Sequence, residues 1–123
     1  MVASVWGNGT PQEAFEVPPD SIINEQSGNY LVLISDAHKV VDYIGTGGHT
    51  FTLPDTVAAG NGFMLYIRNV GTGALTVAPT GTNTVAGLAS ISLAVGAVVQ
   101  VLVKGSDYSI LNSNAVNILA ANV

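Results

Sequence analysis

Alternation with a period of two, interrupted by glycine and proline, constrains this chain more than any other feature of its sequence. In residues 50–69, TFTLPDTVAAGNGFMLYIRN, two alternating runs (Phe51/Leu53 and Phe63/Leu65/Ile67) flank a connection that opens on Pro54 and ends in Gly60-Asn61-Gly62. Two half-buried strands joined by a surface loop read this way. The same grammar recurs on both sides. Residues 30–34 and 40–44 precede it, with Asp36-Ala37 as the turn of a first hairpin. Residues 75–77, Val85, 91–95, 98–103 and 108–111 follow across the turns at Gly71-Thr72-Gly73, Gly81-Thr82-Asn83, Gly96 and Lys104-Gly105-Ser106-Asp107. About eight or nine strands at sandwich-like spacing predict an all-β fold: a single antiparallel β-sandwich or jelly-roll-like domain over residues 29–113. No segment between Asn29 and Asn112 carries a helical period.

The surface such a fold can present is unusual. Only 9% of the 123 residues are charged while 48% are apolar, so the exterior is covered by Thr, Ser, Asn and Gly. Such a surface favours association, and the expectation is that apolar area is buried against other copies or another protein. With no cysteine, disulfides and thiolate chemistry are excluded. Lys39, Arg68 and Lys104 are scattered and the formal net charge is −5, which argues against nucleic-acid binding. The longest uncharged apolar stretch alternates and is too short for a membrane span.

The first 28 residues read differently from the rest. They hold four acids, no base and Pro11, Pro18 and Pro19, with isolated large apolar side chains and no sustained period. This composition predicts an extended N-terminal arm that lays Val5, Trp6, Phe15, Val17, Ile22 and Ile23 onto a partner, because a fully buried large apolar side chain is stabilised by about 2–3 kcal/mol. Two core runs, residues 31–34 and 98–103, are apolar on both faces. A strand without a polar face is covered on both sides, by a loop of its own domain or by a neighbouring subunit. Leu31, Leu33, Val98 and Leu102 are therefore candidate subunit-interface residues. Ile118 and Leu119, from the uncharged apolar tail 114–123, join them.

Chemistry is sparse. His38 and His49 are the only histidines; each can be set beside a carboxylate, Asp36 or Asp42 for one and Asp55 for the other, but no nucleophile elbow surrounds them. No metal-ligand spacing, phosphate-binding glycine motif or paired-acid cleft is evident, and the reading is a protein that is not an enzyme and takes no cofactor. The aspartates sit where aspartate favours local turns. Glycan binding is the one small-molecule activity left open, through Tyr30, Tyr43, Tyr66, Tyr108 and Asp107.

The phrase order Thr50-Phe51-Thr52-Leu53-Pro54, Gly60-Asn61-Gly62-Phe63, Leu75-Thr76-Val77-Ala78-Pro79, and then the 99/101/103 valines before Gly105-Ser106-Asp107-Tyr108 resembles β-modules of tailed-bacteriophage virion proteins. Fibres, tail spikes and the decoration or head-fibre proteins of capsid exteriors contain such modules. The resemblance spans about residues 30–112, with no counterpart for residues 1–28. It implies a homotrimer on the virion exterior, made in the host cytoplasm, with the major capsid protein or another virion protein as partner. A chain without heptads or shaft repeats suits a capsid decoration or cement protein; the alternative is a short tail or collar fibre that binds host-surface glycan.

Overall fold

In a computed structural model, which describes residues 22–113, the chain is all-β. Among the described residues ten strands are formed: β1 (Ile23–Gln26), β2 (Tyr30–Leu31), β3 (Val40–Tyr43), β4 (His49–Leu53), β5 (Met64–Asn69), β6 (Leu75–Pro79), β7 (Thr84–Val85), β8 (Ile91–Leu93), β9 (Val98–Lys104) and β10 (Asp107–Ser113). They make a six-stranded sheet in the order β1-β3-β5-β9-β10-β7 and a four-stranded sheet in the order β2-β4-β6-β8.

Both sheets are mixed, which corrects the antiparallel order expected from the sequence. From β1 to β8 the chain alternates between the two sheets. Consequently β1, β3 and β5 run parallel in one sheet, and β2, β4 and β6 run parallel in the other. The second half closes this coil: β8 returns antiparallel to β6, β9 antiparallel to β5, and β10 antiparallel to β9. The expected hairpin at Asp36-Ala37 does not form, since β2 and β3 belong to different sheets. The run 30–34 stops being a strand after Leu31. There the Asp36 carboxylate accepts from the Leu33 N–H at 2.9 Å and folds residues 34–36 into a 3₁₀ turn. A second departure is a single α-turn, α1 (Thr56–Ala59), inside the loop between β4 and β5; Asp55 caps it by accepting from Ala58 N–H.

Alternation decides what is buried. Val41, Tyr43, Leu65, Ile67, Val99, Val101 and Val103 of the six-stranded sheet share one core with Phe51, Leu53, Leu75, Val77, Ile91 and Leu93 of the four-stranded sheet. Tyr43 and Tyr30 pack edge-on against Phe51 at ring separations of 5.7 and 5.8 Å. The Tyr108 hydroxyl, also inside, donates to the Pro54 carbonyl at 2.7 Å.

Glycines set the corners of the coil. A Cβ at Gly71 would fall on the Gly45 carbonyl oxygen, and one at Gly73 on that of Thr46, so successive corners stack backbone on backbone. The fully buried Asn69 locks this end: Nδ2 donates to the Gly73 and Leu93 carbonyls, and Oδ1 accepts from Gly71 N–H. These glycines, read from sequence as ordinary turns, are sites of close approach between rungs.

The segment 22–28, assigned to the arm by its composition, contains β1, which pairs along its length with β3. Its side chains do not alternate apolar with polar, because this strand half-buries hydrogen-bonded amides: Asn24 Nδ2 donates to the Tyr30 hydroxyl and to Asp36, and Gln26 donates to Asn24. Val5, Trp6, Phe15, Val17, Ile118 and Leu119 lie outside the described residues.

Candidate interaction surface

The side of the six-stranded sheet that faces away from the core is built in rows, because registered neighbours on adjacent strands share a face. One row runs Ile23, Val40, Tyr66, Gln100, Asn112 across β1, β3, β5, β9 and β10. The next runs Glu25, Asp42, Arg68, Val98. On the other side of the first row, Met64 stands opposite Leu102 and Leu102 opposite Ser109. Beyond the charged row, Ile44 and Val70 follow their strands by the same period. They are 43% and 47% exposed, as is Val95 beside them at 50%. Their adjacency is held by backbone bonds from Val70 N–H to Tyr43 O and from Gly96 N–H to Asn69 O.

One ion pair crosses this face. Arg68 donates from Nε to Asp42 Oδ1 at 2.8 Å and from Nη2 to Asp42 Oδ2 at 2.7 Å. The carboxylate side chain is 3% exposed and the arginine side chain 43%. The fork geometry matches guanidinium to carboxylate, and the hydrogen bonds to Asp42 raise the arginine pKa further above its ordinary value. Among the described residues, Arg68 Nη1 and the exposed Glu25 carboxylate have no hydrogen-bond partner. Beside them, the Gln100 amide is buried through Asn112 Nδ2, which donates to its Oε1 at 2.9 Å.

The outward side of the four-stranded sheet is different in kind. Its registered positions are Leu31, Thr50, Thr52, Thr76, Ala78 and Ser92, short and uncharged. Near its edge a shallow depression of about 410 Å³ is lined by Asn29, Tyr30, Leu31, Thr50 and Thr52. Leu31, Leu33 and Ile34 stand 60%, 49% and 47% exposed around the 3₁₀ turn. That turn is anchored beneath by Asp36, a buried carboxylate that accepts from Tyr30 Oη at 2.7 Å and from Asn24 Nδ2 at 3.0 Å. Burial, and then the bond to Asp36, push the Tyr30 phenol up to about 12.

The candidate residues drawn from the sequence thus divide between two surfaces. Ile23, Val98 and Leu102 share the outer face of the six-stranded sheet, all partly buried; Leu31 and Leu33 lie at the edge of the other sheet, and Ile22 is 55% exposed at the start of β1. Only alternate residues of the run 98–103 face outward, because Val99, Val101 and Val103 belong to the core. Of the tyrosines considered for glycan binding, Tyr43 and Tyr108 are fully buried, leaving Tyr30 and Tyr66 with exposed area. His38 sits exposed in the left-handed region at φ 65°, and His49 Nδ1 lies 2.7 Å from the Tyr43 hydroxyl, which also accepts from Gly47 N–H. Asp36 and Asp42, read as turn or edge aspartates, are both 2% exposed. The Asp42–Arg68 pair escaped the sequence because parallel pairing joins residues 26 apart, across a strand of the other sheet. The sequence matches no protein-family model and no curated protein.

Proposed function

We propose that the chain is a structural virion protein of the capsid-decoration or cement type: a β-sandwich-like module that binds the capsid exterior as a homotrimer and stabilises the shell. The observation that carries this reading is the surface itself. Among the described residues nine large apolar ones, from Ile44 at 43% to Val57 at 86%, stand exposed on a chain with very few charges to keep it apart from its neighbours. Such a surface acts by burying area against other proteins, and a cement protein needs only area added across capsomer boundaries.

Val5, Trp6, Phe15, Val17, Ile22 and Ile23 are the residues assigned to the capsid, the first four of them before residue 22. The test is binding of the full chain, and of a chain lacking residues 1–21, to undecorated capsids of the parent particle. Full occupancy by the shortened chain rejects the arm's role; failure of the full chain to bind rejects the cement reading. Truncation stops at 21 because deletion through 28 would also remove β1.

The depression beside Tyr30 favours a second reading, an adhesin for a neutral glycan. Asn29 Oδ1 is occupied by Thr50 N–H at 2.9 Å, leaving its Nδ2 to donate, while Leu31 offers apolar area for the carbon face of a sugar. A glycan array with Thr52→Val as the comparison separates this reading from the first.

A further inference from the structure

We infer that the outer face of the six-stranded sheet is the surface on which copies of this chain meet, three sheets facing a common axis that runs along their strands. The inference rests on the trimer reading and adds which surface makes it. The occupant is set by charge complementarity.

Rotation about an axis parallel to the strands keeps every residue at its own height, so each row meets the same row of the next copy. The charged row is asymmetric across the sheet: Glu25 and Asp42 stand on β1 and β3, Arg68 and Val98 on β5 and β9. A cyclic arrangement brings the acidic half of one copy against the basic half of the next. There the Glu25 carboxylate reaches the Nη1 edge of Arg68, both without hydrogen-bond partners among the described residues, while Nε and Nη2 keep their bonds to Asp42. A two-fold axis running along the strands would pair the same residues reciprocally, so the charged row carries the choice of face and the trimer reading carries the number of copies. The flanking rows then meet like with like: Ile44, Val70 and Val95 on one side, Met64 and Leu102 on the other. The four-stranded sheet offers no such pairing, since its outward registered positions carry no charge.

The test is the mass in solution of the full chain and three variants, with far-ultraviolet circular dichroism to confirm that each is folded. The wild type is expected at three times 12.5 kDa. Glu25→Lys sets two cations together and should raise the half-dissociation concentration about tenfold or more; Val70→Asp, which buries an unpaired charge, should do so by about a hundredfold. Leu31→Asp, at the edge of the other sheet, should leave it within about threefold. A wild-type trimer that Glu25→Lys and Val70→Asp leave intact overturns the assignment of the face while the trimer reading stands, as does dissociation by Leu31→Asp alone. A monomeric wild type overturns both.

Discussion

Replacing Arg68 by methionine removes the charge from the one ion pair of the described sheet while keeping most of the stem that covers the outer face. Asp42 then retains a carboxylate that is 3% exposed and has no other donor to its oxygens among the described residues. Breaking a fully buried pair costs about 3–5 kcal/mol. Here the guanidinium is 43% exposed and water can approach from its side, so the expected loss is about 2 kcal/mol. In urea that is a fall in midpoint of roughly 1–2 M for a domain of this size. The companion variant Asp42→Val with Arg68→Met replaces both partners by apolar groups suited to a strand, and should return to within about 1 kcal/mol of wild type. Unfolding at two protein concentrations tenfold apart separates the contribution of assembly from that of the fold. The reasoning is refuted if Arg68→Met loses less than about 0.5 kcal/mol, or if the double variant is no more stable than the single one.

Gly71→Ala should destabilise by about 3 kcal/mol or more, because its Cβ meets the Gly45 carbonyl rather than a side chain that can yield; a thermal melt comparing it with Gly28→Ala, where φ is not left-handed and nothing lies near, isolates the steric part. Tyr30 is held neutral in the fold, its pKa pushed from 10.0 to about 12, and a raised phenol contributes stability that is complete below pH 10 and lost as pH rises through 12. Urea titrations from pH 9 to 12 should therefore show a decline, which Tyr30→Phe flattens by an amount on the order of 1–2 kcal/mol. Hydrogen exchange should order the strands by their ladders: among the described residues the edge strands β1, β2, β7 and β8 are paired on one side only and exchange first, and the long strands β5 and β9, flanked on both sides, exchange last.

What sequence reading could reach was the part set by the two-residue period. Alternation alone marks Phe51 and Leu53, and Leu65 and Ile67, as the apolar sides of half-buried strands, and all four are fully buried. The loop of residues 54–62 reads as a surface connection between two strands, and it joins β4 of one sheet to β5 of the other. Strand partnership was not legible, because alternation tells which side chains share a face and not which strand lies alongside. Sequence alone predicts a hairpin of the runs 30–34 and 40–44, whereas the chain crosses to the other sheet at nearly every turn. The Asp36 cluster was hidden for a related reason: its donors come from β1, from β2 and from the backbone of the turn itself, and β1 has the polar composition of an arm. On the candidate surface, Ile23, Val98 and Leu102 were found through apolar character, while Glu25 and Arg68 were missed because their significance depends on parallel register.

The alternation between sheets has a consequence for where stability and association can reside. A parallel coil can pair residues far apart in sequence on neighbouring strands, so each rung must be tied to the next by side chains as well as by the ladder. The described residues show three such ties: the Asp36 carboxylate under the first rung, the Asp42–Arg68 fork between the second and third, and the stacked glycine corners closed by Asn69. Two of these lie at the ends of the core and need no outer surface. The Asp42–Arg68 fork stands on the outer face of the six-stranded sheet and leaves one edge of Arg68 without a partner among the described residues. The same residue that joins rung to rung thus presents its remaining donor outward, which is why a single substitution there tests the fold in dilute solution and the assembly in concentrated solution.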